Sequence, residues 1–182
     1  MKLLAVYVAV LLSVATQFVN AEDFRVVFEK KTAVERANKE DSKMGNGLTR
    51  VERLNFDAEV TYSGVDSIHG VTVTFYVIGT NNFFDRKDQK LILAGKFVHA
   101  AQEFGNGTSK KYEMGPIGFE EFETRNGNTK WRGGVKWEGW VAEFAKDGKI
   151  IARIGKTPDQ IKKVERGELI ENVRGIEKPP GA

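Results

Sequence analysis

The sequence predicts an all-β protein, an antiparallel β-sandwich that is immunoglobulin-like in general shape and has one short helix near its C-terminus. Residues 54–62 and 71–78 alternate apolar and polar side chains with a period of two, as half-buried antiparallel strands require. Three dipeptides between apolar segments supply the positive φ angles of tight hairpin turns. They are Asn106-Gly107, Asn126-Gly127 and Asp147-Gly148. Short strands separated by such turns are typical of a sandwich or a small barrel.

The other strands are predicted from their β-branched and aromatic residues, which strands prefer. The connection at residues 63–67 has the Ser, Gly and Asp composition of a short hairpin loop. The polar residues 32–47 predict a long loop or a loosely ordered arm. Further strands are expected at Phe24–Lys31, Lys90–Ala100, Lys111–Met114, Gly118–Thr124, Trp131–Ala145, Lys149–Ile154 and, as a last short strand, Leu169–Val173.

One helix is predicted near the C-terminus. Residues 157–160 (TPDQ) match a capping box with proline at the first helical position. Ile161 and Val164 follow on one apolar stripe, and Gly167 is a natural stop signal. The helix is therefore expected at about residues 158–166.

The N-terminus has the pattern of a secretory signal peptide. Lys2 provides a positive n-region, residues 3–15 an apolar h-region, and Val19-Asn20-Ala21 a cleavage site. The apolar run is shorter than the roughly 20 residues of a transmembrane helix. Cleavage after Ala21 is expected, and an uncleaved N-terminal anchor is the alternative. The predicted organisation is then a signal peptide at 1–21, one domain at 22–175 and a flexible tail at 176–182.

Composition and charge narrow the protein class further. The chain has no cysteine, which in an exported protein favours a secreted or periplasmic bacterial protein over a disulfide-rich secreted domain. Its 28 basic and 25 acidic residues are interspersed and give a net charge of +3. Such a distribution is typical of a solvated surface, and no nucleic-acid partner is expected.

The tryptophans provide the main candidate for a binding site. Residues 129–144 contain all three, with cationic residues between them. On a regular strand Trp131 and Trp137 share one face, and Trp140 lies on the other. They could stack on sugar rings while the cations hold an anionic polymer, or they could simply fill the core. The predicted ligand-binding residues are Trp131, Arg132, Lys136 and Trp137.

Other chemical groups have stronger structural explanations. His69 and His99 lack the additional spaced ligands of a metal site, and no metal or organic cofactor is predicted. The Ser, Asp and His residues at 63–69 have the composition of a turn rather than of a catalytic triad. Glu121 and Glu123 would lie roughly 7 Å apart on one strand face, as the acid–base pair of an inverting glycosidase could. Solvent-facing carboxylates on an edge strand have the same spacing.

The segment Gly134–Ala152 (GVKWEGWVAEFAKDGKIIA) resembles the closing hairpin of small secreted β-sandwich proteins of Gram-negative bacteria. These uncharacterised proteins share an aromatic-rich strand, a D-x-G or D-G turn and a K-[IL]-I strand. The signal peptide and the alternating strand at residues 54–62 are similar to theirs as well. The resemblance implies a fold and a compartment, and no site residues.

The sequence leaves open whether the protein is an enzyme and favours a non-enzymatic role. The expected function is a binding or interaction module for a glycan or protein partner in the cell envelope. The alternative is a hydrolase of an envelope polymer that uses a carboxylate acid–base pair. Self-assembly through an exposed sheet edge is a third option, and the oligomeric state is not predicted.

Overall fold

The structure, a computed structural model, describes residues 21–40, 48–81, 90–126 and 129–171. These residues form eight strands and one α-helix, preceded by a short 3-10 helix at Ala21–Asp23. The strands are β1 (Phe24–Glu40), β2 (Leu48–Tyr62), β3 (Ile68–Asn81), β4 (Lys90–Phe104), β5 (Ser109–Asn126), β6 (Thr129–Lys146), β7 (Lys149–Gly155) and β8 (Ile170–Glu171), and the helix is α1 (Pro158–Glu165).

The strands form two antiparallel layers that share β6. One layer has the order β1-β2-β5, and the other has the order β7-β6-β3-β4, with β8 added in parallel to β4. The first part of β6 pairs with β5, and its later part pairs with β3 and β7. Immunoglobulin-like sandwiches place their first, second and fifth strands in one sheet and their third, sixth and seventh in the other. The predicted fold class is confirmed.

The core lies between the two layers and follows the alternation seen in the sequence. From Val71 to Val77 of β3, the residues at every second position have no exposed surface, because they face the opposite sheet. Phe24 of β1 stacks on Phe144 of β6 with ring centroids 4.2 Å apart, which joins the two layers at one end. The buried side chains of the two alternating strands are Leu54, Phe56, Ala58, Val60 and Tyr62 on β2, and Val71, Val73, Phe75 and Val77 on β3.

The predicted lengths of two strands, β1 and β5, were wrong. Residues 32–40 were expected in a loop, yet they continue β1 and pair with β2 as far as Glu40 and Leu48. A polar segment can form a strand when a neighbouring strand satisfies its backbone hydrogen bonds. The two segments expected on either side of residue 115 are one strand, β5, which passes through the cis Gly115–Pro116 bond.

The turn and the helix that were predicted in the C-terminal part of the chain are confirmed. Asp147 and Gly148 have φ angles of 51° and 74°, as a type I′ turn requires. The N–H of Gln160 donates to the Thr157 side chain at 3.3 Å, so Thr157 is the N-cap of α1. The helix ends one residue before the predicted position. Gly127 of the predicted Asn126-Gly127 turn lies outside the described residues.

A polar network holds α1 against the outer face of the second layer. Arg153 of β7 pairs with Glu143 of β6 at 2.7 Å and with Glu165 of the helix at 3.4 Å. The Tyr76 hydroxyl donates to Glu143 at 3.2 Å. Burial and the Glu143 carboxylate raise the pKa of Tyr76 to about 12. The network therefore fixes the short segment between β7 and α1. Lys156 in this segment belongs to the candidate functional site.

None of the helices in the described ranges is long and apolar enough to cross a membrane. Residues 1–20 and 172–182 fall outside those ranges. The signal peptide, the domain bounds and the flexible tail therefore stay predictions.

Candidate functional site

The predicted binding residues lie on both sides of the point where β6 passes from one layer to the other. Trp131 and Arg132 pair in the backbone register with Thr124 and Glu123 of β5, and their side chains are outside the described part of the chain. Lys136 and Trp137 follow the change of layer and belong to the part of β6 that pairs with β3.

Gly134 makes this change of layer possible. Its φ angle of 126° is in a region that residues with a Cβ rarely adopt. A Cβ at this position would overlap the carbonyl oxygen of Glu120 on β5. The backbones of β5 and β6 therefore approach each other here as only a glycine allows.

A bulge on β6 changes the face on which the tryptophans lie. Gly79 pairs with Trp137 and Ile78 pairs with Gly139, so Glu138 is one extra residue on β6. The extra residue reverses the alternation, and Trp137 and Trp140 both pack against the core. The expectation that Trp140 lies on the face opposite Trp137 was wrong for this reason.

Trp137 lies at the edge of the core beneath two lysines. Its ring is 6.0 Å from that of Phe56, while Lys30 Nζ and Lys156 Nζ lie 5.8 and 4.9 Å from its centroid. Its buried Nε1 atom has no hydrogen-bond partner among the described residues. Cations over an indole face are attracted by the ring quadrupole. Two ammonium groups therefore lie close to one ring, whereas the indole N–H is buried below the surface.

Trp140 completes this group of side chains. Its ring stacks on that of Phe28 with centroids 4.9 Å apart and planes 9° apart. Both tryptophans are partly exposed although they contact the core. We call the five residues Phe28, Lys30, Trp137, Trp140 and Lys156 the lysine–tryptophan cluster.

The two lysines of the cluster are held differently. Lys30 Nζ lies 3.7 Å from the Glu52 carboxylate, and both side chains are about one-third exposed. Lys156 Nζ donates to the carbonyl oxygen of Glu138 at 2.6 Å. Its backbone N–H donates to the carbonyl oxygen of Trp140 at 3.0 Å. The ammonium group of Lys30 is thus paired with a carboxylate, and that of Lys156 with a backbone carbonyl.

The structure does not bring Lys136 into this cluster. Adjacent residues of a strand point to opposite faces, and Lys136 Nζ lies 3.5 Å from the carboxylate of Glu121. Lys30 was missed in the sequence, although a signal was present. Alternate residues Phe24, Val26 and Phe28 are apolar, so the next residue on that face is Lys30.

The other candidate groups have ordinary partners. His69 pairs with Glu103 at 3.2 Å on the surface. The Ser63 hydroxyl donates to the carbonyl oxygen of Asp23 at 3.2 Å. Residues 63–67 are not the hairpin loop that was expected, because β2 pairs with β1 and β5 while β3 pairs with β4 and β6. Glu121 is paired with Lys136, and the side chain of Glu123 is not among those described. Within the described ranges, no group of three or more His, Cys, Asp or Glu residues could hold a metal ion.

His99 and Tyr112 face each other where β4 approaches β5. Their ring centroids lie 4.8 Å apart, and His99 Nε2 and the Tyr112 hydroxyl are buried without a hydrogen-bond partner in the described structure. Burial lowers the pKa of His99 below its ordinary 6.5 and raises the pKa of Tyr112 to about 12. Both groups are therefore neutral near neutral pH.

We expect His99 to make the folded protein less stable in acid. Between the ordinary pKa of 6.5 and the lowered folded value, the unfolded chain binds a proton at His99 and the folded chain does not. The free energy of unfolding should therefore fall as pH decreases through 6.5. Urea titrations from about pH 8 to about pH 5 should show a shallower decrease for His99→Gln than for wild type. Tyr112→Phe keeps the histidine and should keep the wild-type slope, whereas equal slopes for wild type and His99→Gln would contradict the expectation.

Comparisons with known proteins do not show a family. No protein-family model matches the chain, and no curated protein matches it. A Northeast Structural Genomics Consortium target solved by X-ray crystallography is similar at 11% identity and a TM-score of 0.34, over 76% of this chain and 89% of that one. A crystal structure from Akkermansia muciniphila is similar at 11% identity and a TM-score of 0.28, over 85% of this chain and 84% of that one.

Proposed function

We propose that the protein is a non-enzymatic binding module of the bacterial cell envelope whose lysine–tryptophan cluster binds an acidic glycan. The observation that carries the proposal is the position of two solvent-accessible ammonium groups beside the half-buried ring of Trp137. Ammonium groups form strong charge-assisted hydrogen bonds with anions, and an anionic group supplies several oxygen atoms at once.

The tryptophans favour a glycan over an acidic peptide as the source of that anion. Trp137 and Trp140 are partly exposed beside the ammonium groups, so an apolar indole surface borders the anion site. A uronic acid has a carboxylate next to a ring whose C–H groups can contact such a surface. Phe28 stacks on the Trp140 ring, and the two lysines lie over the Trp137 ring. A ligand is therefore expected to contact the exposed edges of the two indoles.

The proposed compartment follows from the signal-type N-terminus and the cysteine-free composition. The resemblance of residues 134–152 to secreted bacterial sandwich proteins supports the same compartment. A protein in the cell envelope is exposed to acidic polysaccharides. A local cationic cluster could bind them although the net charge of the whole chain is small.

The test is a titration of the purified protein with oligogalacturonate, followed by calorimetry and tryptophan fluorescence. We expect binding that weakens with salt, and a loss of about tenfold in affinity for the double variant Lys30→Gln/Lys156→Gln. The matched control Lys111→Gln/Lys149→Gln removes the same charge from two exposed lysines outside the cluster and should bind as wild type does.

Two further ligands complete the design. Dextran, a neutral glycan, should not bind. Polyglutamate that binds as tightly as oligogalacturonate would favour an acidic protein partner over a glycan. The proposal would fail if no acidic glycan binds, or if the cluster variant and the control variant lose affinity equally.

A further inference from the structure

Glu52 occupies the position on Lys30 that a ligand anion would take. Its carboxylate oxygen lies 3.7 Å from Lys30 Nζ, the same ammonium group that lies 5.8 Å from the Trp137 centroid. Lys156, the second lysine of the cluster, makes its hydrogen bond to a backbone carbonyl instead. A carboxylate of the protein itself therefore already pairs with one of the two lysines of the cluster.

We propose that Glu52 is a built-in competitor that weakens anion binding at the lysine–tryptophan cluster and favours ligands with closely spaced negative charges. This inference rests on the function proposed above. A ligand carboxylate that pairs with Lys30 must displace that of Glu52 or lie beside it. Two carboxylates that contact the same ammonium group lie close together and repel each other, so an incoming anion must overcome that repulsion.

The geometry of the pair suits a displaceable contact. Both side chains are about one-third exposed, and exposed ion pairs contribute little to folding, so opening this pair needs little free energy. Glu52 belongs to β2, whose backbone is fixed by pairing with Phe119 of β5. Its carboxylate can turn away from Lys30 while the strand stays in place.

A ligand with several anionic groups gains most from this arrangement. One group can pair with Lys156 while the next displaces Glu52 from Lys30, since both ammonium groups lie within 5.8 Å of one ring centroid. A single free anion can pair with Lys156 without displacing Glu52, but it cannot make both contacts at once. The cluster should therefore prefer a polyuronate to a monomeric uronic acid.

The experiment measures the affinity of Glu52→Gln for oligogalacturonate and for monomeric galacturonate. We expect Glu52→Gln to raise affinity about two- to fivefold, with the larger gain for the monomer. Glu168→Gln is the control, because it opens a surface ion pair with Arg166 outside the cluster and removes the same charge, although that pair is more exposed than Lys30–Glu52. It should leave the affinity within about twofold of wild type.

A double-mutant cycle gives the deciding result. In the Lys30→Gln background, Glu52→Gln should no longer raise affinity, because its competition acts through Lys30. Wild-type binding that depends on Lys30 and Lys156 but is unchanged by Glu52→Gln would overturn this inference and leave the proposed function standing. Absence of binding by wild type and by Glu52→Gln would overturn both.

Discussion

Replacing Gly134 by alanine is expected to destabilise the protein by about 3 kcal/mol. The φ angle of 126° is strained for any residue with a Cβ, and the added atom would overlap the carbonyl oxygen of Glu120. Neither problem has a local remedy, because β6 is paired with β5 up to this position and with β3 from Val135 onward. The strain must be relieved by separating the strands where β6 joins the two layers.

The measurement is urea denaturation of the variant beside Gly118→Ala. Gly118 lies on β5, the strand that pairs with β6 at Gly134. An added Cβ at Gly118 meets nothing within 4 Å, and the φ angle of Gly118 is ordinary. Gly118→Ala should therefore be neutral or slightly stabilising, since alanine restricts the unfolded chain. Equal midpoints for the two variants would show that the approach of β5 and β6 at Gly134 does not constrain the fold.

Truncation of Phe75 to alanine should lower the free energy of unfolding by about 3–5 kcal/mol. Phe75 is fully buried on β3 and contacts rings of the opposite layer. Its centroid lies 5.2 Å from that of Tyr112 on β5 and 6.4 Å from that of Phe28 on β1. The variant therefore loses the contacts that join the sheets and leaves a cavity between them.

Such a loss is a large share of the roughly 5–15 kcal/mol that stabilises an ordinary domain. Phe75→Leu provides a milder step, expected to cost about 1–2 kcal/mol, if the alanine variant does not fold. Val98→Ala on the neighbouring strand β4 is the control, because Val98 is 57% exposed and its truncation should change stability by less than about 0.5 kcal/mol. A small effect of both Phe75 variants would contradict the assignment of Phe75 to the inter-sheet core.

The candidate site could be predicted only in part. The segment at residues 129–144 was identified from its tryptophans and cations, and Trp137 does lie beside lysine ammonium groups. Those groups belong to Lys30 and Lys156, however, and not to Lys136, which faces Glu121. Sequence spacing within one strand cannot show which side chains of other strands will meet it.

Local backbone chemistry was enough for several elements. The alternation in residues 54–62, the Asp147-Gly148 turn and the Thr157 cap depend on residues within a few positions of one another. A period of two, a positive φ angle and an N-terminal hydroxyl each act within one turn or strand. The sequence by itself therefore determined the all-β class, the main strands and the helix.

The tertiary structure decided the features that depend on partners far away along the chain. Residues 32–40 form a strand because β2 satisfies their backbone hydrogen bonds. The extra residue Glu138 on β6 is defined only by its register with β3, and it turns Trp137 towards the core. The lysine–tryptophan cluster arises where β1, β6 and the segment before α1 meet. Contacts of this kind depend on how strands pair, and strand pairing is a property of the whole fold.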